Sequence, residues 1–156
     1  MYGKIEMLGQ VYMLLCLIAT TAIMYVANVC YIMAKDFYKS ITKASAKQKQ
    51  RALNSYYPAY IQSNVIYISS KDISLNEAAA RLLTVQNIYT YYSANAKKAV
   101  IKAGFSPKGP EIHRDNKNLK GKYVFYHYHP GHTDSKNIMK KSLDSHALYG
   151  DPHYVS

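Results

Sequence analysis

The chain has 156 residues, enough for one domain, and its 49% hydrophobic content with 17 tyrosines excludes a disordered polymer. Its 20 Lys and Arg against 9 Asp and Glu give a formal charge of +11, which suits anionic partners such as nucleic acid or lipid headgroups. Only Cys16 and Cys30 occur, so the rest of the chain has neither a disulfide framework nor a cysteine metal site.

Between Glu6 and Lys35 lie 28 residues without a charge, and about 20 apolar residues suffice to cross a hydrocarbon core. Residues 1–34 therefore read as a hydrophobic membrane segment, a single-pass transmembrane helix with Tyr12 and Tyr31 near its ends and Tyr25 and Asn28 further in. Cys16 and Cys30 would share that helix, too far apart to bond to each other. The competing reading is a cleaved signal peptide ending near Thr20-Thr21-Ala22, which would make the protein secreted; its n-region has only Lys4, offset by Glu6.

Residues 35–51 form a basic juxtamembrane stalk, where Lys35, Lys39, Lys43, Lys47, Lys49 and Arg51 are opposed by Asp36 alone. The positive-inside rule places the C-terminal part of the chain on the cytoplasmic side. The same cluster suits an anionic membrane surface.

Residues 52–156 read as a small α+β domain. Ser63 to Ser69 is rich in β-branched residues and predicts a strand. Ser74-Leu75-Asn76-Glu77 is a capping box that starts a helix over strong helix formers. A second helix is expected from Ser93 or Ala94 to Ala103, with Ala96, Ala99, Val100 and Ala103 on one face and a stop at Gly104. After a loop at residues 106–110, the stretch from Glu111 to Pro130 looks like two strands around a polar turn. The expected fold is thus α+β: an N-terminal hydrophobic helix, two middle helices and a small antiparallel C-terminal sheet.

All six histidines lie beyond Ile112. Strand alternation would place Tyr123, Phe125, His127 and His129 on one face, with His132 just past Pro130-Gly131 and His146, Tyr149 and His153 further on. Three readings fit. The first is metal-independent RNA cleavage, with His127 or His129 and His146 as base and acid and Arg114, Lys122, Lys140 or Lys141 on the phosphate; it needs no cofactor. The second joins His127 and His129 with His132, Asp134 or His146 around a zinc ion with one position left open. The third leaves the imidazoles capping turns and pairing with Asp134, Asp144 or Asp151.

Three short elements carry a resemblance: A-x-K-A-x-x-x-A-G-F from Ala96 to Phe105, YHYHP from Tyr126 to Pro130, and SHALYG from Ser145 to Gly150. Together they make residues 94–156 resemble the C-terminal toxin domains of bacterial polymorphic toxins. The resemblance implies an effector used against competing cells, commonly a nuclease where activity is known, and often a cognate immunity protein as partner. His127, His129 and His146 match the motif and Tyr149 matches it more loosely; His132 and His153 gain nothing from it. The chain departs from the usual toxin architecture in showing one membrane-type segment in place of a long delivery region. The leading expectation is a toxin-like ribonuclease acting on RNA. Its alternatives are a non-enzymatic membrane-anchored interaction protein and a zinc-binding domain.

Overall fold

The computed structural model describes residues 24–26 and 29–156. The greater part of the expected membrane helix, with Cys16 and the Thr20-Thr21-Ala22 cleavage site, lies outside those residues.

The described chain forms one nine-stranded mixed sheet with four α-helices and a single 3-10 turn. The strands are β1 (Met24–Val26), β2 (Val29–Met33), β3 (Tyr56–Gln62), β4 (Val65–Ser69), β5 (Asn87–Thr90), β6 (Ser106–Glu111), β7 (Tyr123–Thr133), β8 (Met139–Lys141) and β9 (Ala147–Tyr154). The helices are α1 (Ala34–Lys43), α2 (Ala46–Leu53), α3 (Leu75–Leu83) and α4 (Ser93–Lys102). The sheet order is β1-β2-β4-β3-β5-β9-β7-β6, with β8 pairing to β7 as a side branch. All pairings are antiparallel except β5 with β9.

This architecture corrects the expected fold class. The end of the apolar run is not helical, because Val29–Met33 is a strand paired to β4, with Cys30, Tyr31 and Ile32 buried. Among the described residues no helix is long and apolar enough to cross a membrane. The sheet is neither small nor confined to the C-terminus. Its interior includes β9, a strand with no local sequence signal, lying between β5 and β7.

Helices cover both faces. On one, Phe37 and Ile41 of α1 pack against Tyr57, Ile68, Tyr89, Phe125 and Leu148. Their i, i+4 spacing puts both on one stripe while Lys39 and Lys43 stay exposed, so the basic segment is an amphipathic helix that joins the core. The α2 helix buries none of its side chains and presents Lys47, Lys49 and Arg51 to solvent.

The opposite face carries α3 and α4, whose Ala78, Ala79, Leu82, Ala96, Ala99 and Val100 meet Tyr56, Ile88, Tyr128 and Ala147. Alanine stripes let helix backbones approach the sheet closely, which is why these segments bury so completely. The Ser74 hydroxyl accepts from the Glu77 N–H at 3.2 Å while the Glu77 carboxylate accepts from the Ser74 N–H at 2.8 Å, so both halves of the capping box form.

The first strand of the expected hairpin begins earlier than its sequence suggests. β6 runs through Ser106-Pro107-Lys108-Gly109-Pro110-Glu111, where the prolines and glycine predict a loop. It is an edge strand, where prolines are tolerated because their missing N–H faces no partner.

Candidate functional site: a histidine cluster on the sheet

Past the part that α1 covers, the same sheet face continues along β7 from Phe125 and onto β6. There the residues are imidazoles rather than aliphatic groups. His127 is the register partner of Leu148 on one side and of Glu111 on the other, so Leu148, His127 and Glu111 form one cross-strand row. His129 lies two residues further along β7, and His146 precedes β9 by one residue, two before Leu148.

Strand alternation therefore brings the three rings together: centroids are 5.0 Å apart for His127 and His129, 4.9 Å for His127 and His146, and 4.5 Å for His129 and His146. His127 is 3% exposed and His129 4%, and His146 is half-buried. One ligand-capable atom from each lies within 4.8 Å of the others.

The orientation of each ring is set by an acceptor. His127 Nδ1 lies 3.2 Å from the Phe125 carbonyl and His129 Nδ1 3.0 Å from the Ser145 carbonyl. His146 Nδ1 lies 2.8 Å from Asn87 Oδ1, and that same oxygen takes the His146 backbone N–H at 2.8 Å, which identifies it as the amide oxygen. Since oxygens of this kind only accept, each Nδ1 carries the proton and each Nε2 keeps its lone pair. The Nε2 of His127 is buried and makes no hydrogen bond among the described residues.

Burial also fixes protonation. Desolvation, helped by neighbouring imidazoles, pulls His127 down to about 4 and His146 to about 3, and His129 is lowered as well, chiefly by burial. All three are neutral at physiological pH.

At the mouth sit groups that the sequence alone does not single out. Glu111 pairs with Lys108, and the hydrogen bond from that ammonium group holds its carboxyl below the usual range. Glu111 Oε2 is 3.9 Å from His129 Nε2. The exposed ring of His113 lies 5.1 Å from that of His127, and Glu111, His113 and His127 form a second set of potential ligand atoms within 4.8 Å. The signal available was the Glu-x-His pair at 111 and 113, with the same spacing of two as the His pair in β7.

The structure brings His127, His129 and His146 together but not Tyr149. That residue lies on the opposite face, its ring stacked between Tyr126 at 6.0 Å and Tyr128 at 5.3 Å. Of the four cations, Lys141 lies by the cluster, its charge acting on His129 and His146, and pairs with Asp144. Lys140 is bonded to Asp134 at 2.9 Å beside the β7–β8 turn. Arg114 goes to the other face, over Tyr126 and 2.9 Å from His153 Nδ1. Lys122 lines a groove with Lys35, Asn64 and Tyr123. His132 is exposed and bonds Ser142 Oγ at 2.7 Å, so it and His153 stand apart from the cluster.

No protein-family model matches the chain, and no curated protein or solved structure does either.

Proposed function

We propose that this chain is a hydrolytic effector that cleaves a phosphodiester, with RNA as substrate, at the face carrying His127, His129 and His146. The reading is carried by one observation: three neutral imidazoles, two buried and one half-buried, are oriented by acceptors at Nδ1 and converge beside the Glu111 carboxylate. A core that needed only apolar filling would gain nothing from burying three rings with a partnerless nitrogen among them, since an unpaired buried polar atom costs about 1–3 kcal/mol.

The toxin-like ending, whose matched histidines are these three, supports a nuclease over other hydrolases. In that reading Lys108 and Lys141 face the phosphate, and Glu111 accepts the proton of the attacking hydroxyl. An immunity protein that covers this open face is the partner such an enzyme requires in the cell that makes it.

The test is cleavage of labelled RNA and DNA oligonucleotides by the purified full chain, beside His146→Gln and Glu111→Gln. The expected result is RNA cleavage that falls by about 100-fold or more in both variants, the scale of lost acid–base or electrostatic assistance. Equal rates in all three proteins would remove the assignment.

A further inference from the structure

We propose that the Nε2 atoms of His127, His129 and His146 hold one divalent d-block cation of the zinc class, with Glu111 and His113 at its open side. In the proposed hydrolase this names the agent that activates the attacking group. Its role in hydrolysis rests on that proposed function, whereas occupancy of the site does not.

The geometry argues for a ligand set rather than a hydrogen-bonded cluster. Imidazoles that stabilise one another do so by an N–H of one donating to the lone pair of the next. Here every Nδ1–H is spent on an oxygen, from Phe125, Ser145 and Asn87, so none of the three rings has a proton to give to the Nε2 of another. With the rings 4.5–5.0 Å apart, centre to centre, a cation is the partner that one unprotonated nitrogen from each can share. The orphaned Nε2 of His127, enclosed in a 3% exposed residue, is the clearest instance.

The outer contacts match those of metal-bound histidines, whose other ring nitrogen donates to a carbonyl or carboxylate and so fixes the ring. Three neutral nitrogen donors with no thiolate suit zinc and its neighbours over magnesium or calcium, which favour oxygen ligands. The ligand atoms lie within 4.8 Å of one another, and a tetrahedral site with bonds of about 2.0–2.1 Å needs about 3.4 Å between them. Three protein ligands leave a fourth position, the pattern of catalytic rather than structural sites, and Glu111 lies beside it.

A cation held there supplies Lewis-acid activation of water and of a phosphoryl oxygen. Two duties are then open to Glu111, as a further ligand or as the group that receives a proton, since its Oε2 lies 3.9 Å from His129 Nε2. Lys108, paired with Glu111, keeps its carboxylate in place.

The experiment uses the full chain, stripped with chelator and titrated with zinc by calorimetry, and with cobalt followed by visible absorption. The expected results are one ion per chain and an intense cobalt spectrum of tetrahedral type. His129→Asn should lose both, and Asn87→Leu, which removes the acceptor behind His146, should bind about 10–100-fold more weakly while Asn87→Asp restores binding. Circular dichroism and thermal unfolding of each stripped variant separate lost ligation from lost fold, and His132→Ala should bind as the parent does. Less than one zinc for every few chains, or equal affinity in Asn87→Leu and the parent, would overturn the site, and RNA cleavage undiminished in EDTA would overturn its role in hydrolysis. Stoichiometric binding without any cleavage would instead leave the site standing and overturn the hydrolase.

Discussion

Glu111 and His127 are register partners across β6 and β7, which places a carboxylate from the edge strand over the buried imidazole of its neighbour. That single pairing joins two segments sixteen residues apart into one site, and it depends on how closely β6 can approach. Gly109 is where the approach is tightest: its φ is +131°, and a Cβ there would stand 2.8 Å from the His127 carbonyl oxygen. Gly109→Ala should therefore destabilise the protein by about 1–3 kcal/mol and shift the His127 backbone. Chemical denaturation reads the first effect, and the His127 amide shift in an NMR spectrum the second. An unchanged midpoint would mean that β6 can move away freely.

Phe37 tests whether the basic segment is a stalk or part of the fold. Its ring meets Tyr57 edge-on at 4.9 Å and Tyr89 at 5.8 Å, and the residue is 3% exposed. Phe37→Ala should cost about 3–5 kcal/mol of unfolding free energy. A loss within about 0.5 kcal/mol, the range of ordinary surface substitutions, would show that α1 hangs free of the sheet.

Acid should unfold the metal-free chain earlier than its carboxylates alone require. His127 and His146 are held at about 4 and about 3 when folded, against about 6.5 when unfolded. Below the unfolded value the unfolded chain binds more protons, so stability is fully present above about pH 6.5 and is lost as pH falls toward the folded values. The loss between pH 7 and pH 4 should be roughly 3 kcal/mol or more, since each unit of difference is worth about 1.4 kcal/mol. Urea midpoints measured at several pH values track it. A flat profile down to pH 4 would mean that the rings titrate in contact with water.

Ser74→Ala removes the acceptor for the Glu77 N–H at the start of α3 and should lower stability by about 1 kcal/mol. Because α3 packs on the face opposite the histidines, any catalytic rate measured below the melting temperature should not change. A rate that falls with stability intact would show that the two faces communicate.

The local elements written in short-range chemistry were legible. The Ser74 capping box, the alanine stripe ending at Gly104 and the β-branched run before Ser69 each encode their element within a few residues, and α3, α4 and β4 are found there. Alternation in Tyr126-His127-Tyr128-His129 also put two imidazoles on one side, because the strand period of two is a property of the backbone.

What the sequence could not decide depends on partners far away in the chain. An uncharged run reads alike whether it crosses lipid or fills a sheet, and only the pairing of Val29–Met33 with β4 distinguishes the two over those residues. Likewise Ala147 to Tyr154, interrupted by Gly150 and Pro152, carries no strand signal of its own. It becomes β9 because β5 and β7 supply its hydrogen-bond partners.

Composition determined a basic, tyrosine-rich chain with its histidines gathered at one end. The tertiary structure decided which of them meet. His146 joins His127 and His129 because β9 lies beside β7, Glu111 arrives at the end of β6 with His113 two residues beyond, and Tyr149, three residues from His146, is turned to the other face. A site of this kind is a property of strand order and register, neither of which any local stretch of residues contains.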